Sequence, residues 1–149
     1  MRALVQRVTH ASVTIEGQEA GAIGRGFLVF VGVGEGDGEA EATKLWSKIF
    51  KMRIFPDDKG HATGWALSDV DGEVLVVSQF TLYADCKKGN RPSFVKAGDP
   101  ARAEELYDRF CDIARADMPN LQTGEFGADM QVELLNDGPF SIWLDTEFL

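Results

Sequence analysis

Two short segments hold the residues best placed to do chemistry, Ser78-Gln79-Phe80-Thr81-Leu82-Tyr83 and Asn136-Asp137-Gly138-Pro139. Each is expected at the end of a strand. The first follows Val74-Leu75-Val76-Val77, a run apolar enough to be a strand covered on both faces. The second follows Met130, Val132 and Leu134 alternating with Gln131 and Glu133, the pattern of a half-buried strand. Ser78 and Thr81 carry hydroxyls that could act as nucleophiles, yet no activating base stands near either in sequence. A strand-end loop offers another tool: main-chain N–H groups that point together at a developing oxyanion. That chemistry suits hydrolysis of an ester that is already activated. In the second segment, Gly admits unusual φ/ψ values and Pro is the residue that commonly accepts a cis peptide bond, so Gly138-Pro139 reads as a backbone device. The plainer reading of both segments is an ordinary loop.

Other chemistries find little support. Gly32-Val33-Gly34-Glu35-Gly36-Asp37-Gly38 sits where a nucleotide-binding loop would, but Asp37 occupies the third glycine position of G-x-G-x-x-G and two acids would repel a phosphate. A flexible strand-to-helix turn accounts for it better. The two histidines, His10 and His61, lie far apart and at no ligand spacing from a cysteine or carboxylate, so no metal site and no cofactor are expected. There is no G-x-S-x-G motif. Cys86 and Cys111 form no C-x-x-C pair and read as free thiols of a cytoplasmic protein.

At 149 residues the chain fits one domain, 1–149, able to bury a core. Its hydrophobic content of 44% and charged content of 26% are ordinary for a globular protein. No apolar run reaches the ~20 residues a membrane helix needs, and Met1-Arg2-Ala3-Leu4 leads into a strand pattern rather than a signal peptide. A net charge of −9 argues against a general nucleic-acid binder but leaves room for contact with one RNA end. Lys87, Lys88, Arg91 and Lys96, close behind the first segment, could offset a few phosphates, or could be plain surface residues.

The elements that must position these residues follow from periodicity. Val13 and Ile15 alternate with Ser12 and Thr14 before Glu16-Gly17-Gln18, an early hairpin. Phe27-Leu28-Val29-Phe30-Val31 reads as a buried strand. A helix follows, with Asp37 as the expected cap and Leu45, Trp46, Ile49 and Met52 as its apolar stripe. A second helix opens at Asp99-Pro100 and buries Ala103, Leu106, Tyr107 and Phe110. Phe140, Ile142 and Leu144 mark a last strand. The expected fold is α/β: two helices on a sheet that packs on a second sheet.

With these segments in this order, the chain resembles the D-aminoacyl-tRNA deacylases over essentially its whole length. The likeness runs through Met1-Arg2-Ala3, Gln6-Arg7-Val8, Ala11-Ser12-Val13, Ser78 to Tyr83, Lys88 to Phe94, Phe126 to Val132 and Asn136 to Pro139. Two departures stand out. Phe140-Ser141 replaces the usual Val-Thr, keeping a hydroxyl beside a larger neighbour, and Ala62 to Ala66 replaces a Met-Asn-x-Ser segment.

The resemblance implies a three-layer α/β/β domain with mixed sheets, assembled as a homodimer. It implies an esterase that frees tRNA from D-amino acids and from mischarged glycine, acting at the 3′ aminoacyl-adenosine end with help from the RNA. By the same resemblance, Phe80 lends a backbone N–H while Ser78, Gln79 and Thr81 shape the pocket. Phe126 and Met130 line it near the adenosine, Arg7 braces the Gly-Pro loop through main-chain carbonyls, and Ser141 keeps the hydroxyl contact. A cis Gly138-Pro139 pair projects its carbonyls into the partner subunit's pocket and collides with an L side chain. Two alternatives stay open: a non-catalytic RNA-binding or editing-type module of the same fold, and a nucleophilic hydrolase of small esters that depends on Ser78 or Thr81.

Overall fold

The structure, a computed structural model, describes residues 1–149. Six strands and two α-helices follow in the order β1 (Arg2–Ile15), β2 (Gln18–Ile23), β3 (Gly26–Gly32), α1 (Glu39–Lys51), β4 (Glu73–Ser78), α2 (Pro100–Asp117), β5 (Gln122–Thr123) and β6 (Gln131–Asp145). All six strands belong to one mixed sheet of order β2-β1-β3-β4-β5, with β6 on the free edge of β1. The antiparallel partners of β1 are β2, β3 and β6, whereas β3–β4 and β4–β5 are parallel. The parallel pairs are those whose connections contain a helix, as crossover geometry requires.

Period-two alternation divides β3 and β4 between two cores. Phe27, Val29, Val31, Val74 and Val76 face α1 and α2 within the larger apolar cluster. Leu28, Leu75 and Val77 face the other way, into a smaller cluster completed by Val8, Ala11, Val13 and Ile23. The long strand β1 serves both cores: Ala3 and Val5 belong to the helix side, Val8, Ala11 and Val13 to the other. Its first half pairs with β3 and its second half with β2.

The second sheet expected from the sequence is therefore not a separate one. At about 3.3 Å per residue, the fourteen residues of β1 run ~46 Å, too far to stay within one layer. The strand instead bends, carrying β2 and the start of β6 over the face of the sheet opposite the helices. The closeness of this return shows at Gly21 of β2, where a Cβ would stand 3.2 Å from the Thr123 carbonyl oxygen and 3.4 Å from Leu75 Cδ1.

α2 begins as its sequence indicates, with the Asp99 carboxylate accepting from the Arg102 N–H at 3.4 Å and Pro100 in the first turn. Ala103, Leu106, Tyr107 and Phe110 are buried. α1 departs from expectation at its start. Gly38, not Asp37, is its cap, and the Glu41 carboxylate accepts the Gly38 N–H at 2.9 Å. Asp37 is drawn elsewhere: its carboxylate accepts from the Met1 amino group at 2.6 Å, the Gly34 N–H at 2.6 Å and the Tyr83 hydroxyl at 3.1 Å. The glycine-rich 32–38 turn is thus tied down rather than loose. No helix is long and apolar enough to cross a membrane.

Candidate active site

The first segment lies where β4 runs out. Ser78 is the last residue of β4 and pairs with Val31, and the Gln79 N–H donates to the Val31 carbonyl at 2.7 Å. Gln79 then leaves the strand with φ −147° and ψ 83°, and Phe80–Tyr83 forms a single 3-10 turn. The first bond of that turn runs from the Leu82 N–H to the Gln79 carbonyl, so the turn itself supplies no acceptor for the N–H groups of Phe80 and Thr81. Its far end is held firmly. Arg2 donates from Nη1 to the Leu82 carbonyl at 3.0 Å and lays its guanidinium 4.3 Å from the Tyr83 ring centre. Burial, with the Asp37 carboxylate next, pushes the Tyr83 phenol well above its ordinary value and keeps it a donor.

A cavity of about 640 Å³ opens beside this turn. Ser78, Gln79 and Phe80 line one side of it, Phe126, Asp129 and Met130 another. Tyr107 of α2 sits among them, its ring 5.8 Å from that of Phe126 and its hydroxyl donating to the Val76 carbonyl at 3.0 Å. Burial raises the Tyr107 phenol too. Thr81 does not line the cavity; its hydroxyl accepts a hydrogen bond from the Gln79 side-chain amide. Neither histidine reaches this place. His61 is paired with the Asp57 carboxylate at 2.7 Å, and His10 lies 3.8 Å from Glu133. An apolar chamber with a strand end, side-chain hydroxyls and amide, and main-chain donors at its wall suits polarisation of a carbonyl. No group of three or more His, Cys, Asp or Glu side chains stands ready for a metal ion.

The second segment is not at a strand end. It bulges from the middle of β6, whose two halves both pair with β1. Asn136 pairs with Val8 and Ser141 with Gln6, so four residues of β6 stand opposite Arg7 alone. The Gly138-Pro139 bond is cis, and Gly138 has φ +126°. Asn136 staples the base of the bulge. Its Oδ1 accepts the Phe140 N–H at 2.7 Å, and its Nδ2 donates to the Phe140 carbonyl at 3.3 Å and to the Ser141 hydroxyl at 2.8 Å. Gln6 Nε2 donates to the same hydroxyl at 3.1 Å.

Arg7 supports the bulge from beneath. It follows Ala3 and Val5 on the inward face of β1 and is only 6% exposed, not the strand-edge residue with its head in water that an isolated Arg usually is. Nε donates to the Asp137 carbonyl at 3.0 Å, and Nη1 to the Ile54 carbonyl at 2.6 Å. The guanidinium carbon lies 4.4 Å from the centre of the Phe140 ring.

The residues singled out in the sequence thus fall into two groups. Ser78, Gln79, Phe80, Phe126 and Met130 meet at the cavity, whereas Arg7, Gly138, Pro139 and Ser141 gather at the bulge and do not line the cavity of the same chain. Asn136 belongs to the Asn-Asp-Gly-Pro segment, yet no task was expected of it; an Asn close to a Gly-Pro turn, able to satisfy both N–H and C=O of nearby backbone, is the signal that could have found it. Nothing local marked Tyr107, which reads as one more member of an apolar helix stripe.

Comparison with known proteins shows the family. The family model described as D-Tyr-tRNA(Tyr) deacylase matches residues 4–145. Proteins named D-aminoacyl-tRNA deacylase from Bacteroides thetaiotaomicron and Ruegeria sp. are each 54% identical, covering 99% of this chain and 98% and 94% of their own lengths. Among solved structures, one described as c-Myc DNA Unwinding Element Binding Protein superposes with a TM-score of 0.92 at 41% identity, covering 97% of this chain and 98% of its own. Another, from the structural analysis of a probable eukaryotic D-amino acid tRNA deacylase, gives 0.80 at 17% identity over 96% and 97% and speaks for the fold alone. With the family model spanning nearly every strand and helix and relatives matching end to end, the chain belongs to the D-aminoacyl-tRNA deacylase family.

Proposed function

We propose that this protein hydrolyses the ester linking a D-amino acid to the 3′ end of tRNA, and that it also clears mischarged glycyl-tRNA. The observation that carries the reading is the cavity at the end of β4, where Ser78, Gln79 and the start of the Phe80–Tyr83 turn border one apolar chamber. Water adds to the ester carbonyl, and the oxyanion that forms accepts the Phe80 N–H. The C–O bond to the ribose then breaks, the 3′-oxygen taking a proton relayed by the neighbouring 2′-hydroxyl. Ser78 and Gln79 orient the carbonyl, and Thr81 holds the Gln79 amide. Phe126 and Met130 receive the terminal adenosine.

Stereochemical choice rests on the second group. The carbonyls of Gly138 and Pro139, on a bulge that Arg7 braces at the Asp137 carbonyl and Asn136 at the Phe140 N–H, enter the cavity of a second copy of the chain and collide with an L side chain. A D side chain points away, and glycine has nothing to collide, so both are hydrolysed. Ser141 keeps its hydroxyl in the network under the bulge. Support for a homodimer comes from the separation of the two groups within one chain and from β6, an edge strand with Leu135 and Trp143 about half exposed. The enzyme works without a metal or other cofactor, in the cytoplasm.

A purely RNA-binding role would leave the cavity without a task. Incubation with D-tyrosyl-, L-tyrosyl- and glycyl-tRNA and with a small chromogenic ester, in the presence of a chelator, tests the proposal. Release of amino acid from the D and glycyl substrates alone is expected. Binding without hydrolysis would favour the non-catalytic module, and rapid turnover of the small ester a nucleophilic hydrolase.

A further inference from the structure

Beyond the terminal nucleotide, the cavity has an exposed aromatic rim that the proposed chemistry leaves unused. The Phe80 side chain is 57% exposed, and its ring meets Phe94 edge to face, centres 5.0 Å apart. Val95, next in the chain, is 83% exposed. Phe80 and Phe94 both border the cavity mouth. Large apolar side chains grouped in water at a cavity rim call for an occupant, whereas scattered ones do not.

The segment that carries Phe94 is anchored at both ends. Asp85 and Ser93 exchange backbone hydrogen bonds of 2.7 and 2.9 Å, closing the 86–92 loop. The Glu35 N–H donates to the Lys96 carbonyl at 3.2 Å and the Gly98 N–H to the Val33 carbonyl at 3.0 Å, fastening the far end to the strand-to-helix turn after β3. Between these anchors the charge is reversed relative to the rest of the molecule. Residues 84–98 hold Lys87, Lys88, Arg91 and Lys96 against Asp85 alone, a net of +3 within a chain of net −9. None of the four cations is in an ion pair.

Exposed aromatics beside a local cationic loop, on an otherwise anionic protein, match the chemistry of a single-stranded nucleic acid: ring faces for unstacked bases and cations for the backbone joining them. A protein partner would meet the aromatics equally well but would not require the charge reversal. We infer that Phe80 and Phe94, with the 85–96 loop, form a stacking platform for the unpaired bases immediately 5′ of the esterified nucleotide of tRNA. The inference rests on the reading of the cavity as the site of the aminoacyl ester, and extends it from the ester and its nucleoside to the adjoining strand.

The test compares D-tyrosyl-tRNA with a minimal ester, D-tyrosyl adenosine, using the full chain. Phe94→Leu keeps an apolar side chain and removes the ring face. It should lower kcat/KM on the tRNA about tenfold more than on the minimal ester, since a stacked base contributes an effect of that order. Phe94→Tyr should restore the wild-type ratio. Lys88→Glu with Arg91→Glu should weaken binding of the uncharged tRNA and flatten its salt dependence. Equal losses on both substrates, or failure of Tyr to rescue, would overturn the platform. So would conversion of a dimer to monomers by Phe94→Leu in sedimentation, which would assign the rim to a second copy of the chain. Anisotropy with the labelled 3′-terminal trinucleotide of tRNA separates the two readings. Phe94-dependent binding by a protein that hydrolyses neither ester would sustain the platform and sink the esterase reading. Hydrolysis of the minimal ester with trinucleotide binding indifferent to Phe94 would do the reverse.

Discussion

Arg7 holds Asp137 by two contacts at once, its Nε lying 3.0 Å from the backbone carbonyl oxygen and 3.0 Å from the carboxylate Oδ2. The two residues are 130 positions apart in the chain, and the pairing joins the inward face of β1 to the bulge of β6. Together with the bond to the Ile54 carbonyl, it gives a buried guanidinium a partner on three sides.

The first prediction follows from that arrangement. Arg7→Lys keeps the charge but cannot reach both carbonyls and the carboxylate, because an ammonium on a flexible stem lacks the fixed fork of a guanidinium. Leaving buried acceptors unpaired costs ~1–3 kcal/mol each, so we expect a loss of about 2–4 kcal/mol in urea unfolding. Discrimination between D- and L-tyrosyl-tRNA should weaken in parallel. An unchanged unfolding midpoint would show that the bulge does not depend on this side chain.

Gly138 admits no side chain. Its φ of +126° lies where L residues are strained, and an added Cβ would stand 2.6 Å from Phe140 Cδ2 and 2.9 Å from Arg7 Nη2. Gly138→Ala is expected to cost about 1–3 kcal/mol through backbone strain and to displace Phe140 or Arg7. The fold should survive, since Gly138 and Pro139 belong to neither core, although Phe140 beside them packs against the helix-side one. Hydrolysis assays should show lost stereoselectivity, lost rate, or both; wild-type kinetics with an unshifted melting curve would refute the packing argument.

Phe140 and Ser141 close the bulge, and the ring of Phe140 turns inward over the Arg7 guanidinium and the helix-side core. Phe140→Val combined with Ser141→Thr should therefore alter the ratio of D-aminoacyl to glycyl hydrolysis by less than about tenfold, or ~1.4 kcal/mol of differential barrier. The same pair should lower stability, because Val cannot stack on a guanidinium. A larger kinetic change would place the ring in contact with substrate.

Alkaline pH provides a test of the helix-side core. Burial pushes the Cys111 thiol from 9.0 up to about 11, so the folded chain holds its proton where the unfolded chain would release it. Stability from this group is complete below pH ~9 and falls as pH rises from there through about 11. A difference of that size corresponds to ~3 kcal/mol. The buried Tyr107 and Tyr83 phenols act in the same direction at higher pH. Urea midpoints measured from pH 7 to 11 should fall along this course, and Cys111→Ala, although less stable at pH 7, should show a shallower fall between pH 9 and 11.

Local pattern was enough to mark β3, β4 and both helices. A continuous apolar run such as Val74 to Val77, an Asp99-Pro100 start and a 3.6-residue stripe are properties of neighbouring residues, and they act wherever the segment is placed. The chemistry-bearing segments were legible for the same reason, and so was the resemblance that gave them a shared task. What surrounds them was not. Alternation shows which residues share a face but does not name the strand alongside, so one bent sheet and two packed sheets carry the same pattern. Asp37 looked like a helix cap until Tyr83, 46 residues on, offered its hydroxyl. Arg7 had a bracing task only by resemblance, and nothing in its neighbours along β1 announces that the guanidinium is enclosed with the carbonyls of Ile54 and Asp137. The division of the site into a cavity and a distant bulge arose in the same way. Contacts of this kind depend on where the chain returns in space, and only burial of the two cores, shared by β1, decides that.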